Sequence, residues 1–268
     1  MSTPEIEYRQ WAHSDPKAIL LLVHGLGAHA GRWNEMGGFF AEKGISSYAI
    51  ELKNFEHPRP PRAKDETFRG YYEKISHLYN IITKDNPEKK IFLIGESMGA
   101  LVSFLYAASH PGRFNGLICI SPAFENKYKP VLMDYLKIFV PLFYNPGKEF
   151  PLPFDPAMCT RDPIHQHMMA RDERESHSVS SRLVFEILLA EARARLIKDE
   201  FDMPVLFLAA GEDKIVDPKI AKKIFNGLKI QDKKFVDFPG MYHSLSIELG
   251  RERVFEEILR WAEERIWL

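Results

Sequence analysis

Five residues near the middle of the chain have the types and spacing of a serine nucleophile in a tight turn. The run GESMG at 95–99 matches G-x-S-x-G, the pattern of a serine on a sharp turn between a strand and a helix. The glycines suit such a turn because a side chain at either place would collide with the neighbouring strand or helix. The motif therefore predicts acyl transfer through Ser97. A glycine- and serine-containing loop of an unrelated α/β protein is the alternative.

The sequence around the motif supplies the strand and the helix that the turn requires. Ile91–Ile94 has the pattern of a strand buried on both faces, and Ala100–Ala108 has the apolar spacing of a helix packed against a sheet. The sequence HPG at 110–112 ends that helix. We therefore expect Ser97 to lie above the carboxyl edge of a sheet, where a ligand can reach it.

A base and a carboxylate must accompany the serine, and candidates follow the last two predicted strands. Of ten histidines, His243 comes just after the last predicted strand, Phe235–Phe238. We expect the carboxylate after the preceding strand, Val205–Ala209, because the carboxyl ends of parallel strands meet at one edge of a sheet. Three acidic residues follow that strand: Glu212, Asp213 and Asp217. An acid before a proline can instead cap the next helix, so the residues alone leave this choice open.

A glycine-containing loop follows another buried strand nearer the N-terminus. Ala18–Val23 is apolar throughout and leads directly into HGLG at 24–27. Such a loop can point backbone N–H groups at a developing negative charge, which an acyl-transfer enzyme needs. A plain turn at the end of a strand is the alternative interpretation.

Strands and helices alternate along both ends of the chain, which predicts an α/β fold with a mostly parallel, doubly wound sheet. Glu5–Ala12 can add one or two short antiparallel strands at an edge, and a proline-rich loop is expected at 53–62. The alternation stops between 124 and 199, where helix candidates and prolines replace it. We expect a core of residues 1–123 and 200–268 with residues 124–199 inserted as a helical cap.

The composition is that of an ordinary soluble globular protein, with 45% hydrophobic and 27% charged residues and a formal net charge of −1. The 36 Lys and Arg are balanced by 37 Asp and Glu, which disfavours nucleic-acid binding because such proteins normally have a basic excess. No signal-peptide layout and no membrane-spanning apolar run is present. Cys119 and Cys159 are expected to be free thiols, and the protein is expected to be cytoplasmic.

The expected cap contains a segment, residues 131–144, that is apolar on more than one side. Such a surface can line an acyl tunnel or dip into a lipid interface, and packing onto the body of the protein is the alternative. We select Phe139, Leu142 and Phe143 as candidate substrate contacts. The pair His165-x-His167 has zinc-like spacing but no evident third ligand, so neither a metal nor a cofactor is predicted.

The chain thus carries four motifs: HGLG at 24–27, GESMG at 95–99, GEDKIVDP at 211–218 and GMYHS at 240–244. Together they resemble the monoacylglycerol lipase and lysophospholipase group of the α/β-hydrolase superfamily. The resemblance covers nearly the whole chain and implies an α/β-hydrolase fold with a cap between the sixth and seventh strands of the sheet. It also implies Ser97 as nucleophile, His243 as base and then acid, and Asp213 as the carboxylate that orients the histidine. The backbone N–H groups of Leu26 and Met98 would form the oxyanion hole.

The resemblance and the cap predict a serine carboxylic-ester hydrolase that cleaves monoacylglycerol or a similar single-acyl lipid ester through an acyl-enzyme. A short-chain carboxylesterase would share every motif. A prolyl-type aminopeptidase would need an acidic pocket for a free amine, for which Glu125, Glu149 and Asp155 are candidates. A non-catalytic ligand-binding homologue is the alternative from another class. The expected partners are a small-molecule or lipid ester and, transiently, a membrane or micelle surface at the cap.

Overall fold

Most strands of the protein form one mostly parallel sheet. The computed structural model describes residues 6–53, 66–128 and 132–267. Its strands are, in chain order, β1 (Tyr8–Trp11), β2 (Ala18–Val23), β3 (Ile45–Ile50), β4 (Lys90–Glu96), β5 (Gly116–Ile120), β6 (Glu149–Pro151), β7 (Ser178–Ser180), β8 (Val205–Ala210) and β9 (Lys233–Phe238). Seven of them form a sheet with the spatial order β1-β3-β2-β4-β5-β8-β9. The prediction of a doubly wound sheet is confirmed.

One edge strand of this sheet, β1, is antiparallel to its neighbour. β1 pairs antiparallel with β3, with Tyr8 opposite Ile50, whereas the other neighbouring strands of the sheet pair in parallel. The prediction of a short antiparallel edge strand near the N-terminus is confirmed. Most of the predicted proline-rich loop, residues 54–62, lies outside the described residues.

Helices cover both faces of the sheet. They are α1 (Asn34–Glu42), α2 (Phe68–Asp85), α3 (Met98–Ser109), α4 (Leu132–Phe139), α5 (Pro156–Cys159), α6 (Pro163–Arg171), α7 (Ser181–Ala194), α8 (Pro218–Gly227) and α9 (Glu252–Ile266). Short 3-10 turns occur at Ala30–Trp33, Val140–Phe143 and Leu245–Ile247. None of the helices in the described ranges has both the length and the apolar character needed to cross a bilayer.

Strand β2 shows how the sequence divides its side chains between two helical layers. Ile19 and Leu21 face the layer that contains α2, α3, α7 and α8, whereas Leu20 and Leu22 face the layer of α1 and α9. All six residues of β2 are buried. This is expected of a central strand in a doubly wound sheet, because both of its faces are covered by helices.

The segment between β5 and β8 contains α4, α5, α6 and α7. Helix candidates were expected in this segment, the charged ones around 163–171 and 180–197, and the structure has α6 and α7 at these places. The segment also contains an antiparallel pair, β6 and β7, which the sequence did not predict because three-residue strands are too short to show a period. In chain order, β5 and β8 are the fifth and sixth strands of the seven-stranded sheet, because among the described residues only β1 precedes β2. The inserted segment therefore lies one strand earlier than the resemblance implied.

Candidate active site

Ser97 occupies a strained turn between β4 and α3. Its backbone angles φ and ψ are 58° and −121°, a conformation that residues other than glycine rarely adopt. The end of β5 holds the turn from both sides, because Ser97 N–H donates to the Ile120 carbonyl at 2.9 Å and Ala123 N–H donates to the Ser97 carbonyl at 3.1 Å. Strain of this kind, about 1–3 kcal/mol, persists only where the surroundings enforce it.

The two glycines of the motif are required by close contacts. A Cβ atom added at Gly95 would lie 2.3 Å from the Gly99 carbonyl oxygen, and one added at Gly99 would lie 2.2 Å from the Val23 carbonyl oxygen. Both distances are well inside van der Waals contact. The prediction that side chains at these positions would collide with neighbouring elements is confirmed.

Three side chains from three loops meet at the carboxyl edge of the sheet. His243, after β9, places Nε2 2.8 Å from Ser97 Oγ. Its Nδ1 lies 2.8 Å from Oδ2 of Asp213, which follows β8. The other carboxylate oxygen of Asp213 accepts hydrogen bonds from the N–H groups of Ile215 and Val216, at 2.8 and 2.9 Å. The contacts form a continuous series from serine to histidine to carboxylate, which has the geometry of an activated nucleophile.

The tertiary structure separates the three acidic candidates that followed β8. Glu212 is exposed, and Asp217 caps α8 by accepting a hydrogen bond from Lys219 N–H at 2.9 Å. Asp213 is 2% exposed and contacts His243. Of the three, Asp213 is therefore the one that is placed to orient the histidine.

The charges of this pair set the pKa of His243 and the tautomer of its neutral ring. Burial opposes a positive charge on His243, but the Asp213 carboxylate outweighs it, and the pKa of His243 is raised. Burial also opposes the charge of Asp213, but the histidine lowers the pKa of this carboxyl below its ordinary value. An ionised Asp213 holds the proton of neutral His243 on Nδ1, which leaves Nε2 to accept the proton of the Ser97 hydroxyl.

The loop after β2 lies directly against the nucleophile turn. A Cβ atom on Gly25 would be 3.1 Å from the Cβ of Ser97. Leu26 is the next residue of this loop, and Met98 is the first residue of α3. The first N–H groups of a helix have no partner within the helix. Both amides predicted for the oxyanion hole therefore lie in segments that flank Ser97.

A buried pair that the sequence analysis did not single out braces this loop. His24 Nε2 lies 2.9 Å from Oε1 of Glu51, at the end of β3, and Oε2 of Glu51 accepts a hydrogen bond from Ala30 N–H at 2.9 Å. His24 and Glu51 are 3% and 7% exposed. The signal was present in the sequence as an acidic residue after a buried strand, but no pattern linked it to the loop at 24–27.

A small cavity of about 60 Å³, with both polar and apolar walls, lies beside Ser97 and His243. Arg32 and Glu175 form part of its wall, and the Arg32 guanidinium donates to both Glu175 oxygens, at 2.5 and 2.8 Å. This ion pair joins the 3-10 turn after β2 to the segment between β5 and β8. The cavity can therefore hold a small polar group next to the serine hydroxyl.

A larger cavity of about 510 Å³ adjoins the small one. The two share the wall residues Leu26, Leu152 and Phe154. The larger cavity has mostly apolar walls, which include Ile138, Phe150, Val179, Val184, Ile187 and Leu188. Ile138 belongs to the segment 131–144 that was predicted to line an acyl tunnel. Sequence analysis missed the others because they come from separate elements, and no single stretch of sequence shows that they face one another.

Phe139, Leu142 and Phe143, predicted to contact substrate, do not lie in the wall of either cavity. Phe143 is 91% exposed, and the ring of Phe139 packs edge-on against Phe185 with centroids 6.1 Å apart. The geometry does not support that prediction, because none of the three side chains borders either cavity near the serine. Residue 131 of that segment lies outside the described residues.

Neither a thiolate nor a metal centre competes with the serine in the part of the chain that the structure describes. Cys159 borders the small cavity, but burial raises the pKa of its thiol to about 12. His165 Nε2 lies 2.9 Å from Oε1 of Glu35, and His167 is exposed. The described residues contain no group of three or more His, Cys, Asp or Glu side chains that could hold a metal ion.

Known proteins share this fold and sequence pattern. The monoglyceride lipase of Rattus norvegicus is 28% identical over 268 residues, which cover 96% of this chain and 86% of the relative. The crystal structure of Paleococcus ferrophilus monoacylglycerol lipase has a TM-score of 0.85 at 23% identity, covering 96% of this chain and 98% of that one. A soluble variant of the Saccharomyces cerevisiae monoglyceride lipase, in complex with a substrate analog, has a TM-score of 0.81 at 18% identity, covering 99% and 96%.

A family model spans most of the chain. The model of the Hydrolase_4 family, described as "Serine aminopeptidase, S33", matches residues 14–250. The matched range begins in the loop before β2 and ends just before α9. The match includes all four motifs and every strand except β1. By sequence and by fold, the chain belongs to the Hydrolase_4 family of α/β-hydrolases.

Proposed function

We propose that this protein is a serine hydrolase that cleaves the ester bond of monoacylglycerols or similar single-acyl lipid esters. The observation that carries the proposal is the hydrogen-bonded series Ser97, His243 and Asp213 beside a large apolar cavity. The apolar cavity suits an acyl chain, and the small cavity next to the serine, with Arg32 and Glu175 in its wall, suits a small alcohol group. The relatives named monoglyceride lipase support the same substrate class.

The proposed mechanism has two steps with the same proton movements. Ser97 Oγ attacks the acyl carbonyl while His243 Nε2 takes its proton, and the alcohol leaves with that proton. Water then attacks the acyl-enzyme in the same way and releases the acid. The N–H groups of Leu26 and Met98 stabilise the oxyanion in both steps, and each such donor contributes about 10²- to 10³-fold in rate.

The cavities suggest where the two parts of the substrate lie. An acyl chain attached to Ser97 would pass Leu26, Leu152 and Phe154 into the larger cavity, and the alcohol would lie on the side of Arg32 and Glu175. We propose that residues 124–199 act as the cap, since they supply most of the apolar wall. Each buried CH₂ group contributes about 0.8 kcal/mol, so longer chains are expected to bind more tightly while the wall stays apolar.

A polar edge ends the apolar wall. Arg195 pairs with Glu125 at 2.7 Å, and Asn126 Nδ2 donates to Oε1 of Glu191 at 3.0 Å. All four residues border the larger cavity, and burial raises the pKa of Glu191 to about 7. Hydrocarbon that reached these groups would remove water from them at a cost in free energy. The preference for longer acyl chains is therefore expected to reach a maximum and then decline.

The aminopeptidase alternative has weaker support from the same contacts. Glu125 already pairs with Arg195, and Glu149 is exposed and accepts a hydrogen bond from the Ser178 hydroxyl at 2.7 Å. Asp155 borders the small cavity, but it caps α5 by accepting from Met158 N–H at 3.1 Å. A free amine would have to compete with these partners, which disfavours this activity.

An apolar surface on the proposed cap suits transient contact with a membrane or micelle. Phe139 and Phe185 connect α4 to α7 through their rings. In these two helices and at the 3-10 turn after α4, six apolar side chains are 40–91% exposed: Leu136, Val140, Phe143, Tyr144, Phe185 and Leu189. An exposed apolar patch of this kind is typical of a surface that meets lipid. We infer that the substrate can be taken from a lipid aggregate at this face.

The test of the proposed function is a substrate panel combined with a pair of variants in α7. Wild-type protein is expected to hydrolyse p-nitrophenyl esters with kcat/KM rising with chain length, and to hydrolyse a long-chain monoacylglycerol. Leu188 borders the larger cavity, whereas Leu189 beside it is 49% exposed. Filling the cavity in Leu188→Trp is expected to lower kcat/KM for a long-chain ester by about tenfold or more, with the acetyl ester unaffected.

Leu189→Trp is the matched control and is expected to keep the wild-type chain-length profile. The panel includes a lysophospholipid and a prolyl-anilide. Fast turnover of the anilide alone would contradict the ester-hydrolase proposal and favour the aminopeptidase. Turnover of short esters alone, or an equal profile for the two tryptophan variants, would contradict the placement of the acyl chain.

The dependence of activity on pH tests the role of His243. The base must be neutral at Nε2, so kcat/KM is expected to fall as pH decreases through the pKa of His243. Because Asp213 outweighs burial and raises this pKa, the midpoint is expected above about 6.5, the value for an unperturbed histidine. A pH profile of p-nitrophenyl butyrate hydrolysis at constant ionic strength gives the midpoint. A midpoint below that of an unperturbed histidine would show that burial outweighs the carboxylate.

A further inference from the structure

We propose that Glu96, the residue directly before the nucleophile, is a positioning residue that ties the loop of His243 to the nucleophile strand and adds negative charge beside the histidine. This inference rests on the proposed hydrolase function. Glu96 is the last residue of β4 and is 7% exposed. Its Oε1 accepts a hydrogen bond from Ser246 N–H at 3.0 Å, and its Oε2 accepts from the Ser246 hydroxyl at 2.7 Å.

These two bonds reach a stretch that has little regular structure of its own. Between the end of β9 and the start of α9, the chain forms loops and the 3-10 turn Leu245–Ile247. Other contacts anchor the stretch from different directions: Tyr242 N–H donates to Glu248 Oε2 at 3.0 Å, and Ser244 N–H donates to the Cys159 carbonyl at 2.8 Å. Of these anchors, Glu96 is the one that belongs to the nucleophile strand.

The position of this anchor has a direct consequence for catalysis. Glu96 is covalently joined to Ser97, and Ser246 is three residues from His243, so the clamp sets one reacting group relative to the other. The two reacting atoms, Ser97 Oγ and His243 Nε2, are 2.8 Å apart, a hydrogen-bond distance. A displacement of about 1 Å can lower the rate about 10²-fold. Glu96 borders the small cavity but not the larger one proposed for the acyl chain. Loss of the clamp is therefore expected to lower kcat with little effect on the KM of an ester whose binding depends on the acyl cavity.

Glu96 also belongs to the charges that surround His243. Asp213 contacts the histidine at Nδ1, and a second negative charge at Glu96 also favours its protonated form. Burial raises the pKa of Glu96, an effect that the hydrogen bonds from Ser246 and the charges of His243 and Arg32 oppose. Cys159 is a neutral thiol and adds no charge. Removing the charge of Glu96 is therefore expected to lower the pKa of His243.

Three variants separate the clamp from the charge. Glu96→Ala removes both hydrogen bonds, and we expect kcat to fall about 10- to 100-fold with KM within about threefold of wild type. Ser246→Ala removes one bond and is expected to lower kcat about 3- to 10-fold. Glu96→Gln retains a carbonyl that can accept from Ser246 N–H, so most of kcat should return. Because the charge is lost, the acid limb of its pH profile should move to lower pH.

The readouts are kcat and KM for p-nitrophenyl butyrate and the rate of inactivation by a fluorophosphonate, which reports the reactivity of Ser97 without the natural substrate. Glu257→Ala is the matched control. Glu257 is also a buried carboxylate, 8% exposed, but it pairs with Lys234 at the amino end of β9, the opposite edge of the sheet. We expect the kcat of Glu257→Ala to equal that of wild type. Thermal unfolding of every variant is measured in parallel, so that a loss of activity can be compared with a loss of stability.

The outcomes discriminate clearly. Wild-type kcat in folded Glu96→Ala or Ser246→Ala would overturn the clamp. The clamp would also be overturned if Glu257→Ala lost as much kcat as Glu96→Ala when the two variants are destabilised to the same extent. An acid limb that does not move in Glu96→Gln would overturn the electrostatic part. If the wild-type protein hydrolyses no ester, the proposed function itself fails. If it does and Glu96→Ala is unchanged, only this inference fails.

Discussion

Replacing Ser97 with alanine is expected to lower kcat/KM for every ester substrate by about 10⁴- to 10⁶-fold, to the level left by binding and the oxyanion hole alone. In the proposed mechanism the hydroxyl oxygen bonds to the acyl group, and the 2.8 Å contact between Ser97 Oγ and His243 Nε2 places the hydroxyl where the base can take its proton. Alanine keeps the Cβ and therefore the strained φ of 58°. The fold and its stability should change little.

Hydrolysis of a p-nitrophenyl ester and labelling by a fluorophosphonate measure this effect on purified protein. Ser97→Gly is an informative companion, because glycine adopts a positive φ at no steric cost. We expect it to be as inactive as the alanine variant, yet more stable to thermal unfolding by about 1 kcal/mol, since the strain at this position is relieved. Substantial hydrolysis by the folded alanine variant would exclude Ser97 as the nucleophile and favour a non-catalytic use of the scaffold.

Replacing Asp213 with asparagine is expected to lower kcat/KM by about 10⁴-fold with little change in KM. The side chain keeps its size, and its carbonyl oxygen can still accept from the N–H groups of Ile215 and Val216, which now hold Asp213 Oδ1. The amide then presents an N–H to His243 Nδ1. The histidine must place its proton on Nε2, where it can no longer accept the proton of Ser97.

Asp217→Asn and Glu212→Gln are the controls for this prediction, because both residues were candidates for the same role. Asp217 caps α8 and Glu212 is exposed. We expect both variants to retain activity within about twofold, and asparagine to serve nearly as well as aspartate at the cap. A loss of activity in either that matched Asp213→Asn would show that the static contacts identify the wrong carboxylate.

The sequence alone specified much of this protein. The apolar strand before Ser97, the helix after it and the spacing of the glycines at 95 and 99 are local patterns, so this unit could be predicted in detail. The alternation of strands and helices then implied a parallel sheet, whose carboxyl edge gathers the loops of Ser97 and His243. Chain order and spacing carry this information because a doubly wound sheet is built from successive local units.

The tertiary structure decided which side chains use that arrangement. Glu212, Asp213 and Asp217 lie within six residues, and their residue types alone do not rank them, although the family resemblance implied Asp213. In the structure, the turn after β8 brings Asp213 to His243 and leaves Asp217 at a helix cap. In the same way, Phe143 and Leu188 are equally apolar, but one faces solvent and the other borders the cavity.

Glu96 shows the same limit inside the best-predicted motif. Its place in G-x-S-x-G was evident, but its partner, Ser246, lies 150 residues further along the chain. Local patterns record how a side chain suits its own element. Which distant group it meets depends on how the elements pack, and that is set by the summed contacts of the whole core rather than by any one stretch of sequence.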